Sequence, residues 1–333
     1  MRKGIAFYGK DALQIPSYRT QVAFERGVAD KLLVKTWGGI GDQVCAEPTL
    51  RYILEAFKGC SVSLASEIPE LFGHLKFAEV FDLRRVVPRE DNYLVLNTIN
   101  SPDSLTWEFI GHCVTHCVDF ASLCAIRCQL PVSYRQVQMR PPAPGPAFFD
   151  SVFSAPLDQC IFIHPGAHWP SKTFPPDWWS EVVSQVVMRG LIPVIIGKDC
   201  DDNRTTVNFE VPPGAVDLRN KTSILETLWL LKNARALITN DSSPLHMAAA
   251  GRGHIAFVAT AKHQDYIYHW REGGWAWRMK HFNSGGIWDL VDHCPNKENE
   301  VTVEFVAPEI LVSWLPLPTE IANWAADMVA QPF

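Results

Sequence analysis

The chain alternates short apolar runs with segments of helical period. Residues 31–36 (KLLVKT) form a compact apolar run of the buried-strand type. A Trp-Gly-Gly-Ile-Gly-Asp turn follows, and then a helical segment over 44–57. Strand, glycine turn and helix open an α/β unit. The alternation continues with strands at 61–65, 80–83 and 93–97, a helix at 69–75 and a long helix at 107–128. Residues 5–7 and 21–25 read as a short hairpin ahead of this unit. A second alternating set places strands at 160–164, 192–196, 236–239 and 255–259. Its helices fall at 177–189, 224–232 and 245–250, and a helical tail covers 309–314 and 320–329. The proline-rich stretch at 141–159 separates the two sets; proline fixes φ and donates no hydrogen bond, so it reads as a linker. The pattern predicts an α/β protein of two parallel-sheet domains. The first is 1–140, with its core at 31–140, and the second is 160–307, followed by a tail at 308–333.

Length and composition agree with this division. At 333 residues, two domains are expected, and 47% apolar with 20% charged residues is a globular composition. A net charge of −6 gives no overall attraction to nucleic acid or anionic membrane. No run approaches the length of a membrane span, and the start carries no signal-peptide pattern, so a cytoplasmic location without integral membrane association is expected. Nine cysteines without a C-x2-C pair fit a reduced chain. Cys113, Cys117, Cys124 and Cys128 share a helix face, with His112 and His116 nearby. Buried core is the ordinary use of such a stripe, and a metal site is the alternative.

Three clusters follow strands and carry chemistry. Gly38-Gly39-Ile40-Gly41-Asp42 lets a backbone approach a ligand closely. It matches neither the dinucleotide fingerprint nor a P-loop. Asp42 suits both a general base and a helix cap. His164-Pro165-Gly166-Ala167-His168-Trp169-Pro170-Ser171-Lys172 is a strand-end loop in which Lys172 offers a point charge to a diphosphate. Thr239-Asn240-Asp241-Ser242-Ser243-Pro244-Leu245-His246 joins a strand to a small-residue helix. There Asp241 or Ser242 caps the helix, and the hydroxyls and free N–H groups suit an anion. His246 reads equally as a core histidine. Asp199-Cys200-Asp201-Asp202 reads as an acidic surface turn rather than a metal site, and no Gly-x-Ser-x-Gly nucleophile elbow occurs.

In this order and spacing the clusters resemble the heptosyltransferase family, glycosyltransferase family 9, over roughly residues 31–260. The matching stretches are WGGIGDQVCAEPTLRYIL, HPGAHWPSKTFPPDWW and VDLRNKTSILETLWLLKNARALITNDSSPLHMAAAG. The resemblance implies a GT-B fold: two Rossmann-like domains facing across a cleft, here with a short N-terminal β-hairpin extension. It implies an inverting, metal-independent transferase whose nucleotide-sugar is a substrate, with no cofactor. It assigns the base to Asp42. Donor contacts fall on Gly39, Gly41, Lys172, Thr222, Asp241, Ser242, Ser243 and His246, with Ser171, Lys262 and His263 as further cleft residues. The expected partners are a nucleotide-diphosphate sugar and a saccharide acceptor. Hydroxymethylated bases of DNA are the alternative acceptor, and a non-catalytic nucleotide-binding scaffold is a second alternative. A DNA acceptor requires a basic stripe from Arg84, Arg85 and Arg89, or from Arg271, Arg278 and Lys280.

Overall fold

The computed structural model describes residues 30–98, 120–128, 130–134, 136–167, 173–198, 206–259, 269, 278–283 and 315–331. The expected hairpin at 5–7 and 21–25 and the tail segment 309–314 lie outside the described residues. The chain divides into two compact units. One comprises Met1–Arg140 with Asp265–Arg271, and the other Pro141–Gln264 with Glu272–Phe333.

The first unit opens with β1 (Lys31–Thr36), α1 (Ile40–Ala56) and β2 (Ser61–Ser66). A single 3-10 turn at Pro69–Phe72 stands where a longer helix is expected; it buries Leu71 and Phe72. Then come β3 (Val80–Asp82), β4 (Leu94–Asn97) and α2 (Phe120–Arg127), the described part of the expected long helix. The sheet order is β3-β2-β1-β4, all parallel, with Leu32 opposite Val62 and Leu94. β1 is an unbroken apolar run because both faces are covered: Leu32, Leu33 and Val34 are fully buried. α1 begins at Ile40, one turn earlier than its apolar periodicity implies, because its cap draws the glycine turn into the helix start. Cys124 packs with Cys45, Ala46 and Trp37. Burial also pushes the Cys128 thiol upward in pKa. Both features match the core reading of the cysteine stripe; Cys113, Cys117, His112 and His116 lie outside the described residues.

The second unit runs α3 (Pro146–Ser151), β5 (Cys160–His164), α4 (Pro176–Val187), β6 (Ile192–Ile195), β7 (Val216–Asp217), α5 (Ile224–Asn233), β8 (Ala236–Thr239), α6 (Ser243–Ala248), β9 (His254–Ala259), β10 (Met279–Asn283) and α7 (Pro318–Ala330). The proline-rich stretch is therefore more than a bare connection. Pro146 occupies the first turn of α3, where a missing N–H costs nothing. Phe149 of α3 packs edge-on against Trp229 of α5, with ring centroids 5.6 Å apart. The strands β7 and β10 carry too few patterned residues to be read from sequence. α5 is fixed by a capping box in which the Glu226 N–H donates to Ser223 Oγ and the Ser223 N–H to Glu226 Oε2.

The six parallel strands lie in the order β10-β9-β8-β5-β6-β7. Counted from the unit's own first strand, this is the 3-2-1-4-5-6 order of a doubly wound sheet. Winding reverses between β5 and β8, and ligands of such sheets bind at the carboxyl ends of the strands at that point. Trp179, Val182, Val183 and Val186 of α4 and Ile321 and Ala325 of α7 join the sheet in the main core.

Candidate functional site

In the first unit the glycine turn leaves the carboxyl end of β1, and three side chains hold it. Asp42 stands in the third position of α1, with Gly39 as the N-cap. Asp42 is thus not itself the N-cap: its Oδ2 reaches back to accept the Gly39 N–H at 2.8 Å. Glu67, just past β2, accepts the Gly38 N–H at 3.0 Å. Gln43 donates to the Gly38 carbonyl at 3.2 Å and accepts from Ser66 Oγ at 2.6 Å. The glycines make room for this arrangement. Gly38 has φ +91°, and a Cβ there would lie 2.9 Å from Asp42 Oδ2; at Gly39 the distance would be 3.3 Å. The turn therefore presents one carboxylate, half-buried, on a rigid helix start. Glu67 is a carboxylate that the sequence reading passes over. It follows a strand without a glycine motif, and only the β2-β1 pairing brings it to the turn.

In the second unit the switch point is built from the ends of β5 and β8. The Asn240 amide donates to the Gly166 carbonyl at 2.9 Å. A Cβ on Gly166 would come within 2.4 Å of Asn240 Oδ1, so only glycine allows the two strand ends this close. Gly166 also bridges to Thr206, and the Val207 N–H donates to the Pro165 carbonyl at 2.7 Å. Ser242 takes the N-cap position of α6, yet its hydroxyl makes no cap bond. It turns instead to His164 Nδ1 at 2.9 Å, with Thr239 Oγ1 at 3.1 Å. Asp241 and Ser243 flank it, half-buried, and His246 is buried on α6.

His164 is only 6% exposed, and burial pushes its pKa down to about 3, so it is neutral at physiological pH. The ordinary value is 6.5, so from there down to about 3 the unfolded chain binds a proton that the folded chain does not. Stability is therefore lost as pH falls through this window, by about 1.4 kcal/mol per pH unit for this group. Equilibrium unfolding between pH 6.5 and 5 is expected to show a loss of about 2 kcal/mol from this source. That share should vanish in His164→Asn.

Thr222 lies in the loop after β7, two strands from β5, where its Oγ1 is 2.8 Å from Thr227 Oγ1. The structure thus groups Asp241, Ser242 and Ser243 with His164 and Gly166, sets Thr222 apart, and holds Asp42, Gly39 and Gly41 on the first unit. His168, Ser171, Lys172, Asp199-Cys200-Asp201-Asp202, Lys262 and His263 lie outside the described residues. No described helix is long and apolar enough to cross a membrane.

Comparison with known proteins gives these loops a context. Residues 130–267 match the family described as Glycosyltransferase family 9 (heptosyltransferase), and this range holds both switch-point loops. A 92-residue stretch is 29% identical to lipooligosaccharide heptosyltransferase 2 of Haemophilus influenzae, covering 26% of this chain and 27% of that relative. The chain thus spans about a quarter of the length of this curated relative. Among solved structures, the glycosyl transferase family 9 protein of Veillonella parvula superposes with a TM-score of 0.62 at 11% identity, over 90% of this chain and 97% of that one. The dodecameric iron-containing heptosyltransferase TibC, solved with ADP-D-β-D-heptose, gives 0.60 at 14% identity, over 91% and 77%. The fold is that of the GT-B glycosyltransferases. Residues 130–267 thus carry the signature of glycosyltransferase family 9, and the chain shares the fold of solved proteins of that family.

Proposed function

We propose that the chain is an inverting glycosyltransferase that moves a sugar from a nucleotide-diphosphate donor to a hydroxyl of a saccharide acceptor. The observation that carries this reading is the switch point itself: the β5 and β8 loops meet there, and both lie within the family match. In the step, the acceptor oxygen forms a bond to the anomeric carbon while the bond from that carbon to the diphosphate oxygen breaks. Asp42 takes the acceptor proton, and the diphosphate leaves with the electron pair. Asp241, Ser242, Ser243 and His246 contact the donor, and Lys172 with the helix start at 241–246 offsets the negative charge that develops on the diphosphate. Thr222 lies on the nucleotide side. Gly39 and Gly41 give the backbone close approach. The chemistry proposed needs no bound metal, so transfer should persist after chelation.

Two arginines of the first candidate stripe, Arg84 and Arg85, weigh against modified DNA as the acceptor. Arg84 is bound to Asp82 at 2.8 Å and to Glu70 at 3.2 Å, and Arg85 lies 3.4 Å from Asp82. These cations already have carboxylate partners on the protein, which weakens them as a stripe for phosphates.

Thermal unfolding with ADP-, UDP-, GDP- and CMP-sugars tests the proposal. ADP-sugars head the panel because TibC is described with one. A ligand at 100 times its dissociation constant adds about 2.7 kcal/mol. That corresponds to an upward shift of about 5–10 °C for a domain of this size. A shift with one nucleotide class identifies the donor. No shift with any of them overturns the reading and leaves a protein of this fold without a nucleotide-sugar.

A further inference from the structure

The hydrogen bond between Ser242 and His164 is unused by the reaction as written above, and it lies where the two loops of the second unit meet. The His164 ring is nine-tenths buried behind the loop, whereas Ser242 is half-buried at its edge. Three groups surround Ser242 Oγ: His164 Nδ1 at 2.9 Å, Thr239 Oγ1 at 3.1 Å and the Asn240 carbonyl at 3.3 Å. Thr239 Oγ1 in turn donates to the Asn240 carbonyl at 3.1 Å.

A hydroxyl has one proton to give and two lone pairs to fill. If it donated to Nδ1, it would have no proton left for an incoming anion. If Nδ1 carries the imidazole proton, the ring donates to Ser242 Oγ and holds the oxygen in place. The hydroxyl proton then rests on the Asn240 carbonyl through the longest of the three contacts. A charged phosphate oxygen is the stronger acceptor, since charge-assisted bonds are roughly twice as strong as neutral ones. We propose that His164 is a positioning residue of the donor site. Its Nδ1–H fixes the Ser242 oxygen so that the hydroxyl proton swings from the Asn240 carbonyl to the diphosphate of the donor. This rests on the proposed function and adds to it a residue that touches no substrate.

The test is binding of ADP, measured by calorimetry on the full chain. Wild type is compared with Ser242→Ala, His164→Asn, His164→Gln and the double variant His164→Gln/Ser242→Ala. Asparagine places an N–H near the position of Nδ1; glutamine places it near Nε2. Loss of one hydrogen bond to a charged group weakens binding about tenfold or more. Ser242→Ala and His164→Gln should therefore each bind ADP about tenfold more weakly. His164→Asn should stay within about twofold of wild type, and the double variant should be no weaker than Ser242→Ala alone. Full-strength binding by His164→Gln, equal losses in both histidine variants, or additive losses in the double variant would overturn the proposal.

Should the histidine variants fail to fold, the 15N spectrum of the wild-type imidazoles decides instead. His164 is identified there by the couplings that link its ring nitrogens to its own assigned backbone amide. A proton on Nδ1 supports the proposal and a proton on Nε2 alone refutes it. If wild type binds no nucleoside diphosphate, the proposed function fails first, and the positioning role falls with it.

Discussion

Asp42→Asn is expected to slow sugar transfer at least about 100-fold, with donor affinity kept within about twofold. The substitution separates two roles that one side chain holds at once. Asp42 Oδ2 accepts the Gly39 N–H and so closes the first turn of α1. Asparagine retains an oxygen for that bond and nearly the same volume, so the space left by Gly38 and Gly39 is still filled correctly. What asparagine lacks is a site for the acceptor's proton. A general base contributes roughly 10²–10⁴ in rate, and this is the loss to be read in kcat. Thermal unfolding should shift by no more than about 2 °C, since the capping contact survives. Asp42→Ala removes both functions and should add a stability loss of about 1 kcal/mol. Full transfer activity in Asp42→Asn would leave Asp42 as a structural cap and move the base elsewhere. Glu67 would then be the next carboxylate to test, because it holds the neighbouring N–H of the same turn.

The contrast between Asp42 and Glu67 shows what the sequence makes legible. Asp42 stands out because a strand, a glycine run and a helix frame it within a dozen residues. Glu67 reaches the same turn only through the pairing of β1 with β2, a contact between segments some thirty residues apart. His164 behaves similarly. It belongs to a recognised strand-end motif, yet its partner Ser242 comes from β8, which sits beside β5 only because the sheet reverses its winding there. Strands that run apolar on both faces were readable for the same reason that they are buried. β7 escaped because two residues carry no period. Apolar periodicity places the starts of α1 and α6 late because their first turns are polar or proline-containing: a capping contact starts α1 and a proline in the first turn starts α6. Proline similarly made 141–159 look like a connection. Its apolar residues Phe148 and Phe153 are buried, and that burial gives the stretch a packed helix.

Glu47→Gln is expected to destabilise the first unit by about 3 kcal/mol, the usual cost of breaking a buried ion pair by removing one partner. Glu47 sits five residues after Asp42, about 140° round α1, so it faces away from the glycine turn. Its side chain has no exposure. Oε1 accepts from Arg51 Nε at 3.0 Å, and Oε2 accepts the Gln138 N–H at 2.8 Å. Arg51 continues to the Gln136 carbonyl at 2.7 Å and lies over the Tyr134 ring at 4.6 Å. Through Glu47 and Arg51, α1 is therefore tied to the segment 134–138. Arg51 and Gln138 are the hydrogen-bond donors to Glu47, and His74 Nε2 also approaches Oε1, at 3.6 Å. Glutamine offers one acceptor oxygen to these two donors, leaving a buried donor unmet beside a guanidinium that has lost its counter-charge. Burial alone would raise the pKa of the Glu47 carboxyl; contacts with His74, Arg51 and the Gln138 N–H outweigh it and hold the value below the ordinary 4.5. The ion pair thus contributes fully above about pH 4.5, and its contribution is lost as pH falls through the depressed folded value. Denaturant unfolding at pH 7 should show the loss, and the variant should lack this share of the acid limb below pH 4.5. Between pH 5 and 6.5 its slope should match wild type, because there the His164 share alone distinguishes folded from unfolded chains among these two groups. A cost under about 1 kcal/mol at pH 7 would show that water or a rearranged loop replaces the lost charge. α1 would then be held in place by its apolar face, Val44, Leu50 and Ile53, rather than by this ion pair.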